Sequence, residues 1–583
     1  YALARELSNS RYVNVVPRER IGDALRLMRK PLETRVDALV GREVCLRDGE
    51  IRTLLTGRIE KLGTKYRLSI DLVDPKRGTR VIAFTEESPG KEDSLTAVRQ
   101  ISDRVREKLG EKLPSGPNET PLVKVTTSNL RALQLYSRAD SLMSSSAIPS
   151  TQAAAEELLR QAIAEDPNFA SAYMHLAHAI NNQRRPAEEF RPYAETALRL
   201  SESTTERERL FIRGSYYGLL GQQGKAIAAF EALLSLYPDD FWGTNNLVSL
   251  YWSEGRFRDA VELEVRRADL RPWDFQANEI AASDLVPLDR VRSRLYVERA
   301  RALISPAAIQ EHPGEAEWLE LAPAVEAWLD GNLTRALQVV DGMAARIDSL
   351  NGGARTSFAM GTALFYLTLG RLEAAAQCFQ KIPDPFLREE QLARVAFVKN
   401  DRRALEQHLV ASEGTTYLST NTVILLARVG LLPRAARLLN KIGTPQSISD
   451  PGFLQIPRGE LDLARGEVDS GIAELEEGIR RVGVMGNWVF LGSESLAAAL
   501  KEKGDLAQAV QVLERTSEKR SSAAFEGAGA FWLRDQFQLA RLYREVGRVK
   551  DAQKIEGELR SLLALADPDH PMLVELKRLR SSS

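Results

Sequence analysis

A chain of 583 residues, 44% of them hydrophobic and 27% charged, is too long for one compact domain and too apolar to be disordered throughout. Its 79 basic and 80 acidic residues give a net charge of −1, so we expect no nucleic acid partner. Cys45 and Cys378 lie far apart in sequence, which excludes a disulfide framework. No apolar run is long enough to cross a bilayer. Because a helical pattern begins at Tyr1, we expect a longer protein, with any anchor or catalytic domain upstream.

The first 112 residues predict a small α+β domain. Apolar and polar residues alternate over 66–72, as in a strand with one buried face. Turns at Gly63 and at 74–78 separate this strand from apolar runs on either side, which predicts a meander of three antiparallel strands. One further strand is predicted at 11–16, and helices are predicted at 18–30, 35–46 and 94–111. The segment 113–129 is rich in Pro, Gly, Ser and Thr and is interpreted as a linker.

Helical periodicity then continues to the end of the chain, and an internal repeat organises it. A frame of about 34 residues starting at Arg207 predicts two helices that approach closely through small residues and fill the remaining space with aromatic ones. Leu210, Gly214 and Tyr217 lie on its first helix, Ala226, Phe230 and Leu233 on its second, and Pro238 ends the unit. The next frame, from Phe241, repeats this scheme.

A Gly-x-x-x-x-Ala motif recurs along the chain and marks a turn followed by the second helix of a pair. Its copies are Gly255 with Ala260, Gly331 with Ala336, Gly370 with Ala375, Gly430 with Ala435, Gly504 with Ala509 and Gly547 with Ala552, and Gly466 with Gly471 is a weaker copy. The spacing becomes irregular after about residue 275. We therefore predict regular repeats over 130–275 and degenerate repeats over 276–583.

The stretch Gly221 to Asp240 could also be interpreted as a glycine-rich phosphate loop. The step from Gly218 to Gly224 is one residue too long for that motif, and Ala226 follows Lys225 where a Ser or Thr would bind magnesium. No strand precedes the stretch, so the repeat interpretation is favoured.

Known catalytic motifs are missing from the sequence, including those of kinases, serine hydrolases and zinc proteases. We therefore expect this chain to be no enzyme and to hold no cofactor. His175 and His178 are the best metal candidates, but no Cys or acidic residue nearby completes a site, so a structural role is favoured and no metal is expected.

Binding of a peptide or protein is better supported, because stacked helical pairs present an extended surface formed by their first helices. Counting along the frame places ten residues on that surface: Met174, His178, Asn181, Glu208, Phe211, Ser215, Trp242, Asn245, Ser249 and Trp252. Asn side chains can pair with a peptide backbone, and tryptophans offer flat apolar area. The alternative, that Trp242 and Trp252 only fill space between repeats, remains open.

The repeat residues of the frame from Arg207 to Pro272 resemble tetratricopeptide repeats, and the resemblance extends more loosely from about residue 130 to the end. It implies a mainly α fold, a tetratricopeptide-like α-solenoid, with a small N-terminal α+β domain. The order of elements in 1–112, including RYVNVVPRERI and TLLTGRIEKLGTKYRLSIDLVDPKRGTRV, resembles the amino-terminal domain of the Tol-system propeller protein and of flagellar and curli assembly factors. Those domains usually begin with one more strand, which is missing here.

The combination of these two parts is similar to the carboxy-terminal half of bacterial membrane-bound serine/threonine protein kinases, and also to that of transmembrane winged-helix regulators. The resemblance implies a non-catalytic sensor or protein-interaction region, placed on the extracytoplasmic side of an inner membrane that a missing upstream segment would span. Alternatives left open by the residues are a free-standing periplasmic or cytoplasmic assembly scaffold and the sensor half of a transcription regulator. A third hypothesis is an enzyme with an unrecognised site, which would require a deep pocket with converging acids or histidines.

Overall fold

The structure is a computed structural model of the 583-residue chain. It describes all residues except 1, 8–9, 11–12, 14, 17–20, 22–23, 26–27, 29, 31–33, 49–50, 92, 112–126, 128, 146–148, 184, 239, 273, 305–308, 310–312, 414–418, 443–453, 483–487, 526 and 582–583. The predicted linker therefore lies almost wholly outside the described residues. Within the described ranges, no helix has both the length and the apolar character that crossing a bilayer requires.

The chain forms two compact units, one of residues 1–251 and one of residues 252–444 and 450–583. This division follows packing, whereas the boundaries at 112, 129 and 275 follow sequence pattern and stay predictions.

The first unit begins with a small α+β part. Its elements are α1 (Ala2–Leu7), α2 (Ala38–Asp48), β1 (Leu54–Leu62), β2 (Lys65–Asp74), β3 (Thr79–Ser88) and α3 (Ser94–Lys108). The three strands form one antiparallel sheet in the order β1-β2-β3, with Ile59 opposite Leu68 and Ile70 opposite Phe84. The predicted meander is thus confirmed. Leu68 and Phe84 pack with Ile101 of α3 into a core on one face of the sheet.

Two details of this part differ from the sequence prediction. The further strand expected at 11–16 is not formed by Val13, Val15 and Val16, the residues of that segment that the structure describes. Val13 and Val15 pack instead against the core of the sheet as irregular chain. Helix α2 begins later than predicted because the carboxylate of Asp37 accepts hydrogen bonds from the amides of Leu39 and Val40 and so caps the helix.

Among the described residues in the remainder of the first unit, the regular elements are helices. They are α4 (Leu130–Ser145), α5 (Pro149–Glu165), α6 (Ala170–Asn182), α7 (Ala187–Ser201), α8 (Glu206–Leu219), α9 (Gln223–Leu236) and α10 (Phe241–Ser253, of which the last two residues belong to the second unit). The pairs α4 with α5, α6 with α7 and α8 with α9 make the closest contacts. Consecutive helical pairs are what the repeat frame predicts.

Gly214 of α8 lies where this helix contacts its paired helix α9. A Cβ atom built there would lie 2.8 Å from the ring of Phe230 on α9, and that ring is buried. We expect Gly214→Ala to lower the free energy of unfolding by about 1–2 kcal/mol, because the ring must shift within a packed interface. Gly224→Ala in α9 is the matched control, since a Cβ there meets no atom within 4 Å. Urea denaturation of both variants checks this, and equal stability would contradict it.

The second unit is helical throughout its described residues. Its α-helices are α11 (Phe257–Leu270), α12 (Phe275–Leu285), α13 (Arg290–Leu303), α14 (Pro313–Leu329), α15 (Leu333–Ala344), α16 (Gly352–Thr368), α17 (Leu372–Gln380), α18 (Pro385–Val398), α19 (Arg402–Ala411), α20 (Thr420–Arg428), α21 (Leu432–Ile442), α22 (Gln455–Arg465), α23 (Val468–Val482), α24 (Trp488–Glu502), α25 (Leu506–Ser517), α26 (Arg520–Phe525), α27 (Gly529–Glu545), α28 (Val549–Leu562) and α29 (Pro571–Ser581). Most of them again pack in consecutive pairs, for example α12 with α13 and α22 with α23.

The Gly-x-x-x-x-Ala motif has a clear structural basis. The glycine of every full copy has a positive φ, between 71° at Gly255 and 87° at Gly504, and follows the first helix of a pair. Glycine adopts this left-handed conformation without strain, which ends the helix and turns the chain. The alanine five residues later is fully buried in each copy, as at Ala260 and Ala552. The motif therefore combines a helix stop with a small contact residue.

The weaker copy, Gly466 with Gly471, follows the same logic. Gly466 has a φ of 85°, and a Cβ at Gly471 would lie 2.7 Å from the side chain of Leu463. The helices α22 and α23 therefore approach too closely here even for alanine.

Candidate functional site

Three helices of the first unit, α6, α8 and α10, bring three half-buried ring side chains close to one another. Ring centroids of Phe211 on α8 and His178 on α6 lie 6.5 Å apart. His175, one turn before His178, joins them, with its ring 5.9 Å from Phe211 and 6.4 Å from Trp242 on α10. We call the surface formed by His178, Asn181, Phe211, Trp242, Asn245 and Ser249 the first-helix face.

Helix caps hold Trp242 and Phe211 in place. One carboxylate oxygen of Asp240 accepts a hydrogen bond from the amide of Gly243 at 2.8 Å, and the other accepts from Arg207 Nε at 2.7 Å. Asp240 thus fixes the start of α10 against the start of α8. The Thr205 hydroxyl, a cap expected from the sequence, accepts from the amide of Glu208 at 3.3 Å and fixes the start of α8.

Not all of the ten residues placed on the surface by sequence lie there. Met174 is fully buried, Ser215 is 2% exposed, and Glu208 is 4% exposed with its carboxylate hydrogen-bonded by the hydroxyl of Ser171. The position of a residue within one repeat predicts which side of its helix it lies on. It does not predict that neighbouring helices bury that side. Asn245 and Ser249 are exposed, and His178, Asn181, Phe211 and Trp242 are half-buried.

Trp252, the tenth predicted residue, belongs to the second unit. Its indole ring lies 5.2 Å from the ring of Phe257 and packs against the helical core of that unit. It is therefore placed as a packing residue and is not assigned to the first-helix face.

Two polar atoms at the first-helix face, Nε2 of His178 and Oδ1 of Asn181, are buried and have no hydrogen-bond partner among the described residues. Asn181 lies one turn beyond His178 on α6. A buried polar atom without a partner costs about 1–3 kcal/mol. A hydrogen-bonding ligand that reaches these atoms would recover that free energy.

His178 presents a neutral imidazole to this surface. Burial, together with the smaller effect of the neighbouring His175, lowers the pKa of His178 to about 3. The first-helix face is thus aromatic and uncharged at His178 throughout the physiological pH range. Within the described residues there is no group of three or more His, Cys, Asp or Glu side chains placed to hold a metal ion.

A second feature, in the second unit, has no counterpart in the sequence prediction. A cavity of about 420 Å³ opens among α12, α14, α16 and α26. Three carboxylates, Glu279, Glu315 and Glu317, line it together with the rings of Trp318 and Phe525. We call it the acidic cavity.

Comparison with known proteins supports the class of fold. Residues 208–240, which cover α8 and α9, match the tetratricopeptide repeat family. The chain is mainly helical, of the tetratricopeptide-like solenoid type, with a small three-stranded sheet near its N-terminus, so the predicted fold class is confirmed.

Two solved structures with helical repeats are similar to parts of the chain. "Crystal Structure of the Yeast Tom70" aligns with 71% of this chain and 99% of its own at 14% identity and a TM-score of 0.29. "Structure of Naa15/Naa10 bound to HypK-THB" aligns with 77% of this chain and 80% of its own at 13% identity and a TM-score of 0.24. No curated protein sequence matches the chain. At these scores the two structures carry no argument about function.

Proposed function

We propose that the chain is a non-catalytic protein-binding region that captures an extended peptide on the first-helix face. The single observation that carries this proposal is the pair of unpartnered polar atoms, of His178 and Asn181, beside an aromatic cluster. A peptide backbone supplies both donors and acceptors, which these atoms lack, and apolar side chains would cover the rings of Phe211 and Trp242.

The neutral state of His178 favours an uncharged backbone contact over a charged ligand. Asn245 is exposed on α10 one turn from Trp242, where its amide can pair with a further peptide group. The tetratricopeptide match at 208–240 supports the same conclusion, because such helical pairs commonly serve as binding surfaces for proteins.

We further propose that this region is the sensor part of a larger bacterial signalling protein, a membrane-bound serine/threonine kinase, exposed on the extracytoplasmic side. The proposal rests on the order of an α+β part followed by helical repeats, which is similar to the order in such kinases. The coding sequence upstream of Tyr1 tests it directly. A kinase domain followed by an apolar segment of about 20 residues is expected. A signal peptide directly before the α+β part would contradict the kinase association.

The peptide-binding proposal predicts a specific loss of affinity. We expect a peptide selected from a random display library on the full chain to bind Trp242→Ala about 10- to 30-fold more weakly, because a buried aromatic anchor carries about 2 kcal/mol. Isothermal titration calorimetry measures the change. Since His178 stays neutral, the affinity should not change between pH 5.5 and pH 8.

Tyr217→Ala is the matched control for this experiment. Tyr217 is a half-buried aromatic residue of α8, but its ring packs against Tyr216 and Lys225 and is not part of the first-helix face. Unchanged affinity in Tyr217→Ala with a loss in Trp242→Ala supports the proposal. Equal affinities for all three proteins, at equal melting temperatures, would place the peptide elsewhere.

A further inference from the structure

The acidic cavity of the second unit has the properties of a ligand site, and its carboxylates are its main feature. Glu279, on α12, is 5% exposed, and Glu315 and Glu317 extend into the lining from the first turns of α14. Oε1 of Glu317 is buried and has no hydrogen-bond partner among the described residues. Glu315 is already held by Gln276, whose Nε2 lies 3.5 Å from its carboxylate. The cavity thus brings three acidic side chains together, and hydrogen bonds between described residues satisfy their carboxylate oxygens only in part.

Aromatic rings form the other walls. The rings of Trp318 and Phe525 lie edge to face at 5.8 Å, and Phe365 of α16 completes the apolar lining. Trp318 is 8% exposed, and its Nε1 is buried with no acceptor among the described residues. This donor is a second unsatisfied polar group at the cavity, independent of the carboxylates. An acceptor next to the cationic group of a ligand, such as a carbonyl oxygen of blocked arginine or of a partner backbone, would satisfy this donor as well.

No Lys or Arg is among the described residues that line the cavity. The charge of Arg267 on α11 favours ionisation of Glu279, whereas Glu315, Asp284 and Glu317 oppose it. Glu317 also faces the charge of Glu320 on its own helix. Carboxylates beside aromatic faces are the surroundings that an ammonium or guanidinium group prefers, since both the charge and the ring quadrupoles attract it.

We infer that the acidic cavity binds an organic cation, an alkylammonium or guanidinium group, between the carboxylates of Glu279 and Glu317 and the rings of Trp318 and Phe525. A volume of about 420 Å³ accommodates such a group with a short aliphatic chain. The cation is either a free amine or the side chain of a Lys or Arg in a partner. This inference is independent of the peptide surface proposed for the first unit.

Proton release should accompany binding. Burial raises the pKa of Glu317 to about 8, and burial, followed by the charge of Glu315, raises the pKa of Glu279 well above its usual value. Both carboxyl groups are therefore largely protonated at neutral pH when no cation is bound. They ionise when a cation binds beside them. Release of one such proton on binding makes the affinity for the cation rise about tenfold with each pH unit, up to about pH 8.

Calorimetric titration of the full chain tests the inference with three probes: 1,4-diaminobutane, blocked arginine (N-acetyl-arginine amide) and 1,4-butanediol, the neutral isostere of the diamine. We expect saturable binding of at least one cation, none of 1,4-butanediol, and tighter cation binding at pH 8 than at pH 6.5. Preference for the diamine identifies a free amine as the ligand, and preference for blocked arginine identifies a partner side chain. Binding of neither cation at millimolar concentration overturns the inference, as does binding of Mg²⁺ or Ca²⁺ that excludes the cations.

Two variants locate the site. A Cβ at Gly361 of α16 would overlap the carboxylate of Glu317, so Gly361→Ala moves that flexible group without altering the helix. Gly342→Ala, in α15, is the matched control, because a Cβ there meets nothing within 4 Å. We expect at least tenfold weaker cation binding in Gly361→Ala and in Glu317→Gln, and a flatter pH profile in Glu317→Gln. Wild-type affinity in both would show that the cation binds elsewhere and would overturn the assignment.

Discussion

Replacing Arg428 with alanine is expected to destabilise the second unit by about 3–5 kcal/mol, the effect of removing one partner from a buried ion pair. Arg428 ends α20 and donates to Glu460 of α22 at 3.0 Å and to Glu494 of α24 at 2.9 Å. It also donates to the carbonyl oxygen of Leu491 at 2.5 Å. Its guanidinium lies 5.5 Å from the ring of Phe397, so one side chain links four helices.

The pKa values describe the same network. Burial alone would lower the pKa of Arg428, but the charges of Glu460 and Glu494 outweigh burial and raise it. Burial raises the pKa of Glu460 in spite of Arg428. For Glu494, burial is outweighed by Arg428 and Arg534 together, and the pKa is lowered. Without Arg428, Glu460 has lost its cation, whereas Glu494 keeps Arg534 at 2.8 Å.

This difference provides the control. The double variant Arg428→Met with Glu460→Gln should recover part of the loss, because it removes the uncompensated carboxylate and leaves Glu494 paired. Arg480→Ala should change stability by less than about 0.5 kcal/mol, since the pair of Arg480 with Glu477 is exposed. Urea denaturation gives all three values. Similar losses for Arg428→Ala and Arg480→Ala would show that the buried network contributes little.

The free energy of unfolding is also expected to fall as the pH rises from 6 to 9. Ionisation of Glu317 alone should account for about 2–3 kcal/mol of this decrease. Burial raises the pKa of Glu317 from 4.5 to about 8, and Glu320 adds to the shift. A carboxyl group whose pKa is higher in the folded than in the unfolded state favours folding most at pH values below its unfolded pKa. This contribution to the free energy of unfolding is lost as the pH rises from the unfolded pKa to the folded pKa, here between about pH 5 and pH 8.

Glu317→Gln should remove this part of the pH dependence and should be more stable than the wild type at pH 9. Glu502→Gln, at an exposed position of α24, is the control and should follow the wild type at both pH values. Free energies of unfolding from urea titrations at pH 6 and pH 9 provide the comparison. Parallel pH profiles for wild type and Glu317→Gln would mean that Glu317 ionises normally in the folded chain.

Local patterns in the sequence predict most of the helical architecture. The copies of Gly-x-x-x-x-Ala are recognisable because each requirement, a left-handed turn and a small contact, is met by one residue type. One further turn of this kind escapes the pattern, because Asn400, with a φ of 58°, takes the place of the glycine after α18. Asparagine tolerates this conformation better than most residues, but it is too common elsewhere to mark a turn by itself.

The site residues are less predictable, for a physical reason. The frame places His178, Phe211 and Trp242 on one face because that depends only on helical period. It cannot show that Met174 and Ser215 are buried, because their covering comes from neighbouring helices. The acidic cavity depends even more on tertiary structure, since its lining comes from separate helical pairs and from the absence of a side chain at Gly361.

Hydrogen–deuterium exchange of the full chain, with and without a display-selected peptide, tests the central claim most directly. At a peptide concentration near the wild-type dissociation constant, we expect slower exchange in α6, α8 and α10, which carry His178, Phe211 and Trp242, and much less slowing in the same segments of Trp242→Ala. Protection confined to other helices, or a chain that selects no peptide at all, would contradict the claim that the first-helix face is a protein-binding surface.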